Sequence, residues 1–90
     1  MFGLGGVFVE VLKDVTFRVA PLNNLDAEEM IREIHSYPVL KGVRGEAPAD
    51  EAAISGIVQA ASRLMVENPP IEQMDLNPVM VYASGASIVD

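Results

Sequence analysis

Ninety residues, half of them apolar, fit one small domain spanning 1–90 with marginal stability. The lack of cysteine excludes disulfides, thiolate metal sites and cysteine nucleophiles. A net charge of −7 disfavours nucleic acid, and any phosphate handled here needs a cation or backbone N–H groups to offset the repulsion. No apolar run approaches the ~20 residues that cross a bilayer, and the glycine-rich start lacks the basic n-region of a signal peptide, so a cytoplasmic chain with no membrane partner is expected.

The first stretch reads as a β-hairpin. Residues 7–12 and 15–20 are rich in β-branched side chains at period two, with Lys13-Asp14 between them and Pro21 closing the second strand. A helix is predicted from Asp26 as N-cap, with Glu29 three residues on, Leu25 and Met30 as a hydrophobic staple, and Ala27, Met30, Ile31 and Ile34 on the buried face. Pro38 is expected to stop it, and residues 36–47 to form an apolar loop.

A second helix is predicted from about Asp50 to Glu67, ended by Asn68-Pro69-Pro70, with an apolar stripe running from Ala53 to Met65. Residues 71–82 read as extended, interrupted by Pro78, with a turn at Ser84-Gly85 and a returning strand to Val89. The order ββααββ implies an α+β fold, two helices packed on one face of an antiparallel sheet.

Chemistry concentrates in Met74-Asp75-Leu76-Asn77-Pro78-Val79. On a strand, Asp75 and Asn77 share a face, and a carboxylate beside an amide oxygen suits Mg²⁺. The hairpin returns Asp90 near Asn77, so three hard oxygens could converge; the same residues are also good turn formers. Glu10 sits between Phe8 and Leu12 on its strand face, needing a partner or cation if that face is buried. Gly3-Leu4-Gly5-Gly6 matches neither a P-loop nor a dinucleotide fingerprint, and serves either as a phosphate-binding turn or as a hinge. Arg44 could fork onto a phosphate or carboxylate, or simply pair with an acidic neighbour. His35 has no predictable orienting partner and reads as structural.

Three blocks in order carry a resemblance: residues 1–15 with Gly3-Leu4-Gly5-Gly6, Leu40-Lys41-Gly42-Val43-Arg44-Gly45, and Met74 to Val79. Together they resemble the C-terminal half of the ATP-grasp domain of ADP-forming acyl-CoA (acetyl-CoA) synthetases, a ligase family related to succinyl-CoA synthetase β subunits and to fused protein acetyltransferases. The resemblance implies half of an ATP-grasp fold and a site for magnesium and ATP/ADP. The enzymes it points to are acid–thiol ligases that pass phosphate through an acyl phosphate and a phosphohistidine.

It also implies metal binding by Asp75, Asn77 and Asp90, nucleotide contact by Glu10, and family positions of unassigned role at Gly5, Gly6 and Arg44. His35 lies outside the motifs and does not inherit the relay. The expected partners are the missing N-terminal ATP-grasp lobe and a CoA-binding subunit or domain, and the chain alone is expected to be inactive. The alternative is a free-standing, non-catalytic interaction or regulatory module derived from that fold.

Overall fold

The computed structural model describes residues 1–90. Eight elements follow one another: β1 (Phe2–Gly3), α1 (Gly6–Glu10), β2 (Val15–Thr16), α2 (Asn24–Glu33), α3 (Tyr37–Leu40), α4 (Glu51–Glu67), β3 (Val79–Val81) and β4 (Ala86–Ile88). The α+β class stands, with strand pairs at both ends of the chain and helices between. The strands form two separate antiparallel ribbons, β1 with β2 and β3 with β4. Register places Phe2 opposite Thr16 in the first and Val79 opposite Ile88 in the second.

The core lies where α2 meets α4. Ala27, Met30 and Ile31 of α2, with Ile34 just beyond it, recur at helical spacing and are all at most 3% exposed. Ile31 and Ile34 pack with Leu40 of α3 and Ile54 of α4, flanked by Phe2, Tyr37 and Val81. Each such side chain taken from water contributes about 1.5–3 kcal/mol. Polar groups at the same interface are satisfied: the buried Ser62 hydroxyl of α4 accepts from the Leu22 amide at 2.8 Å, and the Thr16 hydroxyl donates to the Met30 carbonyl at 2.7 Å.

Residues 7–12 are not a strand. Gly6–Glu10 is helical, and the Val7 carbonyl accepts from both the Val11 and Leu12 amides, at 3.1 and 3.0 Å. The partner of β2 is instead the two-residue strand β1, so tertiary context overrides the β propensity of the valines. In 15–20, Val15, Thr16 and Arg18 are partly buried, while Phe17 and Val19 are exposed.

Helix α2 starts earlier than expected: Asn23 is the N-cap, accepting from the Asp26 amide at 2.8 Å, and Asp26 reaches back to the Asn23 amide at 3.2 Å. Leu25 is 58% exposed and forms no staple. The helix ends at Glu33 with Ile34 extended, and Pro38, at the start of α3, opens a helix where it was expected to close one. Helix α4 runs as predicted, capped by Asp50. The extended stretch from 71 becomes paired strand only at Val79.

Candidate functional site

The first wall of the site comes from the glycine turn. Gly5 (φ 78°, ψ −175°) and Gly6 (φ 51°) reverse the chain between β1 and α1 in backbone regions that an L side chain resists. Gly3 serves a different need: a Cβ there would stand 2.8 Å from Val9 Cγ2 and 3.0 Å from the Asp14 carbonyl oxygen, so its bareness lets α1 lie against the β1–β2 ribbon. Asp14 fixes the far end of that wall. Its buried carboxylate accepts from the His35 amide at 2.6 Å, the Ser36 amide at 2.8 Å and the Ser36 hydroxyl. The Ser36 hydroxyl lowers its carboxyl below the ordinary value of 3.8; burial pushes the other way, and the His35 and Ser36 amides add to the lowering.

The second wall is residues 74–79. The β3–β4 register continues past the strand ends, with the Asn77 amide donating to the Asp90 carbonyl at 3.2 Å and the Val89 amide to the Pro78 carbonyl at 3.2 Å. Asn77 and Asp90 are therefore cross-strand neighbours at the open end of the hairpin, as the turn at Ser84-Gly85 leads one to expect. The closed end is anchored on α4 through Asp50. Hydrogen bonds from the Gly85 amide, then the Ala53 amide, hold the Asp50 carboxyl below 3.8.

Between the walls lies one cavity of about 540 Å³. Gly5, Gly6 and Glu10 line it together with Asp75 and Asn77. Its floor is apolar, made by Met30 of α2 with Ile57, Val58, Ala61 and Met65 of α4. Five sequence-predicted positions, up to 72 residues apart in the chain, thus meet at one opening. Arg44 does not join them: it sits in the α3–α4 loop, exposed, at φ 53°. Asp90 borders the cavity only through its pairing with Asn77.

The donor chemistry suits a hard divalent cation. Asp75 and Asp90 offer carboxylates and Asn77 an amide oxygen, and none of these side chains is engaged in a hydrogen bond or ion pair with the protein. No three histidine, cysteine or acidic side chains gather anywhere in the chain, so Glu10, Asp75 and Asp90 do not form a ready-made carboxylate cluster. Sequence reasoning missed Arg18, whose guanidinium borders the cavity while donating to the Phe17 carbonyl at 2.8 Å and pairing with Glu33. The available signal was its alternation with Phe17 and Val19, which puts it on the opposite strand face.

The model of the ATP-grasp domain matches residues 1–90. Acetate–CoA ligase [ADP-forming] I of Archaeoglobus fulgidus is 52% identical over 90 residues, all of this chain and 13% of that protein. The β subunit of acetate–CoA ligase [ADP-forming] I of Pyrococcus furiosus is 52% identical over 90 residues, all of this chain and 39% of that subunit.

Among solved structures, the dinucleotide forming acetyl-coenzyme A synthetase 1 of Ca. Korarchaeum cryptofilum in its apo form superposes with a TM-score of 0.94 at 53% identity, covering 98% of this chain and 42% of that one. The same protein with coenzyme A and Mg-AMPPCP gives 0.92, again at 53% identity, covering 98% and 41%. The chain therefore spans well under half the length of the relatives it matches.

Proposed function

The chain belongs to the ATP-grasp domain family, and from that premise we propose that it is the magnesium-nucleotide-binding lobe of an ADP-forming acyl-CoA ligase, inactive by itself. The observation that carries this reading is one cavity whose lining gathers Gly5, Gly6, Glu10, Asp75 and Asn77 with apolar side chains of α2 and α4. Apolar depth with a few convergent polar groups at the rim suits a ligand that is part flat and apolar, part charged, as ATP and ADP are.

Asp75, Asn77 and Asp90 would hold the magnesium, which offsets polyphosphate charge that a chain of net charge −7 would otherwise repel. Glu10 lines the same cavity. The turn at Gly5-Gly6 leaves its backbone open, with no atom from elsewhere in the chain within 4 Å of where either Cβ would stand. The Korarchaeum relative was solved with Mg-AMPPCP and coenzyme A, which supports the same ligand class here.

The lobe is one side of a cleft. Phosphoryl transfer depends on donors placed around the whole transferring group, and a single wall does not supply them. Val11, Leu12, Phe17 and Val19 are 62–89% exposed, an apolar strip that fits burial by further parts of a ligase. The expected partners are an N-terminal ATP-grasp lobe and a CoA-binding subunit or domain, in a cytoplasmic assembly.

The test is an NMR titration of the chain with Mn²⁺ and then Mg-ADP, beside an assay with ATP, acetate and CoA. Broadening confined to residues near 10, 75–77 and 90 without turnover is expected. Uniform silence, or turnover by the chain alone, refutes the reading.

A further inference from the structure

The hairpin β3–β4 is joined to the body of the protein in an unusual way. Two hydrogen bonds connect residues 79–90 to residues 1–67, and both end on Asp50. The Asp50 amide donates to the Tyr82 carbonyl at 2.8 Å, and the Gly85 amide donates to Asp50 Oδ2 at 2.7 Å. The other carboxylate oxygen, Oδ1, accepts from the Ala53 amide at 3.0 Å and caps α4.

An N-cap needs one oxygen; an aspartate has two, with room for several donors. The second oxygen is spent on the turn. Gly85, at φ 87°, presents its amide to Asp50, and the Tyr82 amide donating to the Gly85 carbonyl at 3.0 Å closes the loop that is being held. The hairpin's own backbone bonds hold its two strands together, and beyond the Asp50 bonds its seat on the rest of the protein is packing, including Val81 against the core cluster. Packing of that kind limits distance but sets register and twist weakly.

We infer that Asp50 is a positioning residue: its carboxylate locks the turn of the β3–β4 hairpin to the N-terminus of α4 and thereby seats the hairpin, with Asn77 and Asp90 paired at its far end, against that helix. The inference deepens the proposed magnesium site, since it assigns the residue that aims the metal-bearing hairpin at the cavity. Helix α4 forms the cavity floor. Anchoring the hairpin to that helix keeps the second wall in register with the floor whatever ligand is present.

The experiment separates the two oxygens. Asp50→Ser keeps a helix-capping hydroxyl for the Ala53 amide but is too short to serve Gly85 as well, whereas Asp50→Ala loses both. Two readouts are taken on the 90-residue chain. Amide hydrogen exchange at Asn77 and Val89 reports the far end of the hairpin without metal, and Mn²⁺ affinity reports the site.

The expected result for Asp50→Ser is native helical circular dichroism, exchange about five- to tenfold faster at both amides, and Mn²⁺ binding weakened about tenfold. Unchanged exchange at Asn77 and Val89 in a folded Asp50→Ser chain overturns the inference, and so does unchanged Mn²⁺ affinity. A wild-type chain that ignores Mn²⁺, while Asp50→Ser still loses protection at both amides, overturns the metal reading and leaves the hairpin lock standing. Should Asp50→Ala fail to fold, Asp50→Ser alone decides the matter.

Discussion

Replacing Gly3 by alanine asks whether the first wall of the site is held by close approach. The added methyl would lie 2.8 Å from Val9 Cγ2 and 3.0 Å from both Val15 Cγ1 and the Asp14 carbonyl oxygen. None of these can yield cheaply: valine methyls are stiff about χ1, and a carbonyl oxygen moves only with the backbone. Overpacking of this kind costs about 1–3 kcal/mol, against about 0.4–1 kcal/mol returned by a less flexible unfolded chain.

The net loss, about 1.3 kcal/mol at the middle of a range from about 0 to 2.6, is a sizeable part of the roughly 5–13 kcal/mol expected for a chain of 90 residues. With a urea slope of about 1–2 kcal/mol per molar, that central loss lowers the unfolding midpoint by about 0.6–1.3 M. Gly6→Ala is the matched comparison. Its Cβ meets no atom from elsewhere in the chain within 4 Å, so it carries only the left-handed penalty at φ 51°, about 1 kcal/mol. Gly3→Ala should therefore also move the amide resonances of Val9 and Val15, which Gly6→Ala leaves in place. A Gly3→Ala chain as stable as wild type, with those resonances unmoved, would show that α1 does not rest on the ribbon as described.

Ile31→Ala, at a side chain 1% exposed, should lose about 2–5 kcal/mol in urea unfolding, while Val89→Ala, at one 58% exposed, should stay within about 0.5 kcal/mol of wild type. The Asp14 and Asp50 carboxyls both lie below the ordinary 3.8, so their stabilisation is complete above that value and drains away as pH falls through their lower folded values. The urea midpoint should accordingly be flat from about pH 7 to 5 and drop below about pH 4, more shallowly in Asp14→Asn. Tyr37 shows the opposite sign: its hydroxyl donates to Glu51 at 2.8 and 2.9 Å, which raises it above 10.0, so its contribution is present below that value and lost as pH climbs through the raised one. Spectrophotometric titration should show one tyrosine ionising late, and Tyr37→Phe should abolish that step.

The parts of the fold legible in the sequence are those decided locally. Helix α4 announces itself with a capping aspartate, a long apolar stripe and a double proline, and the hairpin turn with Ser84-Gly85. Where two local rules compete, the sequence is ambiguous. Asn23/Asp26 and Asp26/Glu29 both have capping-box spacing, and only the pairing of Asn23 with the Asp26 amide selects the first. The alternation in 7–12 is compatible with a strand, yet no strand is available to pair with it, because the chain leaves the two left-handed glycines as a short helix and β2 pairs with β1 instead.

The convergence of Glu10 with Asp75 and Asn77 is a matter of topology over dozens of residues, which no spacing rule reaches; it was the family resemblance that brought those positions together. The two carboxylates that do most to build the walls were invisible for the same reason. Asp14 reads as a turn residue and Asp50 as a cap, while their decisive donors lie 21 and 35 residues further along the chain.

Those two aspartates explain how so small a core can carry a defined cleft. Nine buried residues cannot clamp two short ribbons by packing alone, since a two-stranded ribbon is marginal without support. Each ribbon is instead tied to a helix end by one carboxylate taking backbone amides: Asp14 fastens the first to the end of α2, and Asp50 fastens the second to the start of α4. Charge-assisted bonds of this kind are directional where apolar contact is not. The walls can then stand apart with an open cavity between them, and with apolar side chains such as Phe17 and Val19 turned outward. Two carboxylates, each bridging a ribbon and a helix end, thus do for the cleft what so small an apolar core does not.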